Sequence, residues 1–411
     1  MRMDQERCRT GVFVSSELSA LLIGAFALAT ASCGRDAAPR AATESRAVEV
    51  ADSGGVMVVE LGRVEKLSAP KLTPTLLHST SQKEIELFRV TAAVLLDGGG
   101  VALGNSGAYE VLLLADDGSV DSRAGRRGEG PGEFEEITAM IRSPDGFLVY
   151  DARLGRMNEF TESGDFATSW SFGSGRSFMD LKPLARGTEG ETLSVVGESR
   201  IFYPDGVRRD TTPLLMFRQP EGDPDTLALL PAAEWSYHLI PGGGGIRFRF
   251  EVGFGRDVVA FGREDRVVFG ETESLDLSVY RTDGTLTRRI RGDGGGAEVS
   301  ADEVSAWRAE ELAKRAELPP EFLAVVETVP HNETFPALET AVLGPGEMVW
   351  IGLHARPGDE TRAWLVIGPD GQARGRMDLP AAARVLAVGA DRFVLVRRDE
   401  LEVEDVRVYA Y

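Results

Sequence analysis

Cysteine is almost missing from this chain of 411 residues. Only Cys8 and Cys33 occur, both near the amino terminus, so no disulfide staples the remainder and its stability has to come from packing. Histidine is nearly as scarce. His78, His238, His331 and His354 do not recur at matching places in the repeats described below, which leaves a three-histidine metal centre unsupported. Basic residues are in deficit, with 45 Lys plus Arg against 65 Asp plus Glu. The resulting net charge of −20 is repelled by phosphate backbones and excludes nucleic acid as a partner. No Gly-x-Ser-x-Gly elbow, Walker loop or dinucleotide fingerprint is present. The glycine runs at Gly98 to Gly100 and Gly294 to Gly296 lack the strand-to-helix setting that phosphate binding requires.

Glycine, in contrast, is plentiful at 47 residues, and its spacing organises the chain. Gly118, Gly164, Gly284 and Gly371 each follow an Asp or Ser, and Leu114, Phe160, Tyr280 and Ile367 precede them as the ends of apolar strands. These are hairpin tips. Ala102, Leu148 and Val268 open further apolar runs sixteen residues before the first three, so the repeating unit is a β-meander. The glycine separations are 46, 120 and 87 residues. The first is one four-stranded sheet, and the second leaves room for a poorly matching unit with strands near Thr192 to Val196, Leu214 to Phe217 and Thr226 to Leu230. The third holds an excess that matches residues 297–337, where the β pattern breaks. There Ser300 and Glu303 form a capping box, Val304, Trp307 and Leu312 recur near helical spacing, and Pro319-Pro320 stops the helix. A second short helix is expected over Pro320 to Glu327.

After Gly371 only three strands remain, at Arg384 to Val388, Phe393 to Val396 and Val406 to Tyr411. One strand is missing, and Val56 to Leu61 is the orphan expected to fill it. The expectation is an all-β chain, a six-bladed β-propeller closed by an N-terminal strand that completes the last blade, with a helical insertion between blades 4 and 5.

The amino terminus carries Arg2, Arg7 and Arg9 and then an apolar run, Leu18 to Ala29, too short to remain as a membrane-spanning helix. That is a secretion signal. It ends in Leu28-Ala29-Thr30-Ala31-Ser32-Cys33-Gly34, which resembles a bacterial lipobox; an ordinary cleaved signal with an incidental cysteine is the alternative. The expected organisation is a lipoprotein signal peptide at 1–32, lipidation at Cys33, a flexible tether over 33–51 and the propeller over 52–411. The resemblance implies an extracytoplasmic protein that meets the membrane through its lipid alone, facing the periplasm, with the outer membrane favoured because Gly34 rather than aspartate follows the cysteine.

Across Arg126 to Phe172, the segments Gly128-Glu129-Gly130-Pro131-Gly132-Glu133-Phe134, Ser143-Pro144-Asp145-Gly146-Phe147-Leu148-Val149-Tyr150-Asp151 and Arg156-Met157-Asn158-Glu159-Phe160 resemble an NHL repeat. From Asp52-Ser53-Gly54-Gly55-Val56 to the end the chain is similar to the bacterial extracytoplasmic proteins called 6-bladed beta-propeller proteins. That likeness implies the fold and the strand exchange, and supplies no reaction.

Connections between blades, and loops between second and third strands, are expected on one face. This would gather Asn105, Arg126, Arg127, Asp151, Arg153, Glu271 and His354 with the segment Ala232 to Arg249, which carries Trp235, Tyr237, His238 and a four-glycine run. Asn105 and Asp151 could equally satisfy loop amides, the arginines could pair with acids, and Trp235 and Tyr237 could pack the segment down or stack on a sugar or peptide. Two functions follow. One is a binding or interaction scaffold in the cell envelope for a protein, peptide or glycan, with no cofactor. The other is a calcium-dependent lactonase or hydrolase of the six-bladed type, for which Asn105, Asp151 and Glu271, at equivalent blade positions, could supply oxygen ligands.

Overall fold

The computed structural model describes residues 48–81, 85–172, 181–197, 203–220, 222–240, 245, 247–398 and 403–411. The expected signal peptide, Cys33 and the tether up to residue 47 lie outside them, as do Gly242 to Gly244.

Apolar residues in this chain either alternate or run unbroken, and each pattern has its place. Ile137–Ser143 and Leu275–Arg281 bury every second residue, while Gly146–Asp151 is buried throughout, as a strand must be when its sheet is covered on both faces. The described strands form six sheets. The first runs Val90–Leu95, Val101–Asn105, Glu110–Leu114 and Val120–Ala124. The second follows as Ile137–Ser143, Gly146–Asp151, Arg156–Thr161 and Phe166–Ser171. The third has five strands, Leu181–Arg186, Thr192–Val196, Gly206–Phe217, Asp225–Leu239 and Arg247–Glu251. Val258–Arg263, Arg266–Glu271, Leu275–Arg281 and Leu286–Asp293 begin the fourth. The fifth is Leu338–Leu343, Val349–Leu353, Thr361–Ile367 and Ala373–Pro380. The sixth joins Arg384–Val388, Arg392–Arg398 and Glu404–Ala410 to Thr75–Ser81.

The leading strand of each sheet packs against that of the next, and the sixth against the first. Apolar clusters fill the spaces between successive sheets, including Val101, Leu103 and Leu112 of the first against Val394, Val406 and Val408 of the sixth. This radial arrangement is that of a β-propeller. The hairpin glycines show why the repeat is strict. Gly118 has φ +84°, and a Cβ there would lie 2.4 Å from His78 Nδ1 of the sixth sheet; Gly371, at φ +80°, would meet Val59 at 2.8 Å. Each tip needs both the left-handed backbone and the bare Cα.

Two expectations are corrected. Val56–Arg63 does not complete the last sheet; it adds in parallel to Leu286–Asp293 of the fourth, with Glu49–Ser53 outside it. Its alternation buries Val59 and Leu61 beside Ile290, Ala337 and Leu338, a face that any sheet with a free apolar edge can accept. The terminal sheet is completed instead by Thr75–Ser81, whose partners include Thr80 with Val406 and His78 with Val408. The second correction concerns Ala232 to Arg249. Rather than a connection on one face, Ala232 to Leu239 continues a 15-residue strand paired with Gly206–Phe217, and Arg247–Glu251 returns beside it. Burial of Ala232, Ala233, Ser236 and Tyr237 holds it to its neighbours.

Between the fourth and fifth sheets lie α1, Ala301–Ala313, and α2, Pro320–Val326. Ser300 and Glu303 cap α1 reciprocally. Trp307, Leu312 and Phe322 pack with Val325, Val326 and Val329 against Ile240 and Phe250 at the edge of the third sheet. No helix among the described residues is long and apolar enough to cross a membrane.

The seam between sixth and first sheets is also polar. Glu404, 2% exposed, accepts the Val90 N–H at 2.7 Å and holds Arg398 at 3.1 Å, while Arg384 donates to the Val90 carbonyl at 2.8 Å. Glu404→Ala strands a buried amide and an arginine, and is expected to lower unfolding free energy by about 1–3 kcal/mol. Glu60→Ala, which removes a half-exposed partner of Arg291 at 3.6 Å, is the control. It is expected to cost less than ~1 kcal/mol. Urea titration checks both; equal effects would contradict the assignment of Glu404 to the seam.

Candidate functional site

The last residue of the second strand is a clamp in two of the sheets. Asn105, Asp151 and Glu271 pair with Val90, Ile137 and Val258, the first residues of their leading strands, so the three positions are equivalent. Asn105 is fully buried; its Oδ1 accepts the Phe88 N–H at 2.8 Å and its Nδ2 donates to the Glu86 carbonyl at 2.8 Å. Asp151, also fully buried, accepts Glu135 and Glu136 N–H on one oxygen and Arg153 and Leu154 N–H on the other, at 2.6–3.3 Å. In the fourth sheet the corresponding bond comes from the next residue, Thr272, whose hydroxyl accepts the Asp257 N–H at 2.9 Å. Glu271 itself pairs with Arg209 at 3.2 Å.

These side chains fix the segments that lead into the inner strands, which is why their polar atoms are already engaged. The proposed face residues separate accordingly. Arg127 and Arg153 reach the two oxygens of Glu135 at 3.7 and 4.0 Å, beside Asp151, and Arg126 binds Glu133 at 2.6 Å. Trp235, Tyr237 and His238 sit on the long strand of the third sheet instead. Arg249 lies over the Trp235 ring at 4.2 Å, Tyr237 is buried edge-on to Tyr203 at 5.3 Å, and His238 bonds Ser236 Oγ at 2.7 Å. Among the described residues no group of three or more His, Cys, Asp or Glu side chains is arranged to hold a metal ion.

His354 belongs to a different environment. It follows the second strand of the fifth sheet, lies tilted against Phe335 with ring centroids 5.4 Å apart and places Nδ1 4.0 Å from Glu339, which is ion-paired with Arg362. Both ring nitrogens are buried without a hydrogen-bond partner among the described residues. Burial pushes the His354 imidazole down to about 4, with the Arg362 and Arg256 guanidinium charges adding to the effect. Burial pushes the Glu339 carboxyl up, and Arg362 opposes it.

Glu339 opens onto a central cavity of about 820 Å³ bounded by the leading strands of all six sheets. The residues at the second position of the first five of those strands are Thr91, Thr138, Lys182, Val259 and Glu339, and Arg384 opens the sixth. At Thr91, Thr138 and Glu339 the ladder skips a residue, the bulge geometry that re-aims a side chain. Lys182 and Arg384 are both exposed to solvent within the cavity. None of these residues is among those expected from the sequence to carry function. The available signal was a polar residue second in an otherwise apolar run, as in Ile137-Thr138-Ala139 and Leu181-Lys182-Pro183.

No protein-family model and no curated protein matches the chain. Solved structures are similar to it. They include an exported-protein candidate from Bacteroides fragilis, 10% identical, covering 86% of this chain and 99% of that one with a TM-score of 0.45. Virginiamycin B lyase of Staphylococcus aureus is 10% identical over 82% of this chain and 100% of its own, with a TM-score of 0.41. A calcium-binding protein of Agrobacterium tumefaciens, regucalcin, is 10% identical over 84% and 98%, with a TM-score of 0.37. Likenesses at this level carry no residue and no activity across.

Asp151→Ala leaves four amides without an acceptor and is expected to destabilise the protein by about 2–4 kcal/mol whether calcium or chelator is present. Loss confined to the calcium-loaded protein would contradict the clamp. For His354 the unfolded chain takes up its proton near 6.5 and the folded one only at about 4. Its contribution to stability is therefore complete above the first value and lost as pH falls to the second. Glu339 acts in the opposite sense, so the quantity to compare is wild type minus His354→Gln. The urea midpoint of the variant is expected to fall less steeply over that window; an unchanged slope would contradict the burial of a neutral imidazole.

Proposed function

We propose that this protein is a lipid-anchored, extracytoplasmic six-bladed β-propeller that binds a ligand or partner in the cell envelope and catalyses no reaction. The six sheets are read as blades, closed by Thr75–Ser81 in the last, with α1 and α2 as an insertion between the fourth and fifth. Anchoring rests on the lipobox-like Leu28 to Gly34, and the outer membrane, facing the periplasm, is favoured by Gly34.

The observation that carries the binding reading is where free polar groups remain. Asn105, Asp151 and Glu271 are engaged by backbone amides or by Arg209. Cationic and hydroxyl groups converge instead on a cavity of about 820 Å³, within the ~300–1,000 Å³ typical of ligand sites. A protein, peptide or glycan of the envelope is the partner class. The alternative, a calcium-dependent lactonase, draws on the same three residues, and no specific observation favours it.

Labelling with a radioactive fatty acid in a bacterial host is expected to mark the wild type and not Cys33→Ala; label on neither protein contradicts the anchor. The melting temperature is expected to be the same in calcium and in chelator. A saturating metal would stabilise by ~2.7 kcal/mol or more, so a sharp drop on chelation would favour the hydrolase.

A further inference from the structure

The whole chain carries a net charge of −20, yet the charged residues lining its central cavity have the opposite balance. Six cations line it, Arg142, Lys182, Arg263, Arg362, Arg384 and Arg392, against four acids, Asp97, Glu264, Glu339 and Asp391. All four acids are matched: Arg142 with Asp97 at 3.1 Å, Arg263 with Glu264 at 3.1 Å, Arg392 with Asp391 at 3.2 Å, and Arg362 with Glu339. Lys182 and Arg384 are left without an ion-pair partner among the described residues. They stand on the third and sixth sheets, across the ring from one another in the order of strand packing. Arg384 uses one terminal nitrogen on the Val90 carbonyl, which braces the guanidinium and leaves its other donors free. Thr138 Oγ1, second in the leading strand of the second sheet, is buried with no hydrogen-bond partner among the described residues.

Two unmatched cations and an orphaned hydroxyl lining one cavity suit an anion, because hydrogen bonds between ionised partners are the strong ones. Leu184, Phe261, Val385 and Leu386 contribute apolar wall to the same cavity, which suits a ligand with a carbon body better than a bare inorganic ion. We propose that the central cavity binds a small organic carboxylate, its charge held between Lys182 and Arg384 and met by the Thr138 hydroxyl. This rests on the reading of the protein as a binding propeller and names the ligand class of that site.

The test is calorimetric titration of the full-length protein in detergent micelles at constant ionic strength, with succinate, benzoate, neutral succinamide and inorganic phosphate as probes. Saturable binding of succinate or benzoate without binding of succinamide is expected. Lys182→Met and Arg384→Met are each expected to weaken it by about tenfold or more, ~1.4 kcal/mol, while Lys182→Arg retains most of the affinity. Should Lys182→Met fail to fold, as judged by circular dichroism, Thr138→Val serves in its place, with an expected loss of about threefold to tenfold. Binding of phosphate alone, no saturable binding of either carboxylate, or affinity unchanged in these variants overturns the assignment. An envelope glycan or peptide bound equally well by wild type and Lys182→Met would overturn it while leaving the binding reading intact. Hydrolysis of γ-butyrolactone by the calcium-loaded protein would instead overturn the binding reading.

Discussion

The packing of this molecule depends on Thr75–Ser81, from early in the folded chain, sharing a sheet with the last strand. Each sheet is apolar on both faces, so a sheet without two neighbours would leave a core open to water. The last such core forms only when Thr75–Ser81 pairs with Glu404–Ala410 and brings Val394, Val406 and Val408 against Val101, Leu103 and Leu112. The polar bonds at this seam reinforce its register. Both backbone groups of Val90 are taken by side chains of the sixth sheet, the N–H by Glu404 and the carbonyl by Arg384. Thr80 adds a bond to the carbonyl of Gly118, whose lack of a side chain lets His78 close down on it.

That radial order also divides the polar residues into two populations. Asn105 and Asp151, at the ends of second strands, are consumed by the scaffold, because the segments entering the inner strands beside them need their amides satisfied. Asp151, with four such bonds, is the clearest case. Those at the second position of the inner strands face the axis, where no further strand covers them. The bulges at Thr91, Thr138 and Glu339 are the backbone device that turns them there. Arg384, which opens the leading strand of the sixth sheet, both braces the seam through Val90 and presents its charge to the cavity.

Much of the fold was legible because its signals are local. The Leu-x-Leu-x-Val alternation of Leu275 to Val279, the tips at Gly118 and Gly371 and the Ser300 to Glu303 cap each need only a few residues to be read. The terminal strand was not legible for a physical reason. Leu76 and Leu77 are adjacent rather than alternating and lie 45% and 46% exposed on an outermost strand, so Thr75–Ser81 carries no apolar signature. Val56 to Leu61 carries a good one, but alternation says only that one face is buried and not against which sheet. The site divides in the same way. Asn105 and Asp151 stood out as equivalent positions and proved to be clamps. Lys182 and Arg384 went unremarked, since a single charged residue in an apolar run gains meaning only when six such runs are set around one axis.

The pairing of Thr75–Ser81 with Glu404–Ala410 can be tested with paired cysteines. Ser79 faces Arg407 in the sixth sheet, whereas Val58 faces Arg289 in the fourth. Under mild oxidation the double variant Ser79→Cys with Arg407→Cys is expected to form an intramolecular disulfide, seen as a shift in electrophoretic mobility that reductant reverses, while Val58→Cys with Arg407→Cys stays reduced. Cross-linking of the second pair in place of the first would contradict the account.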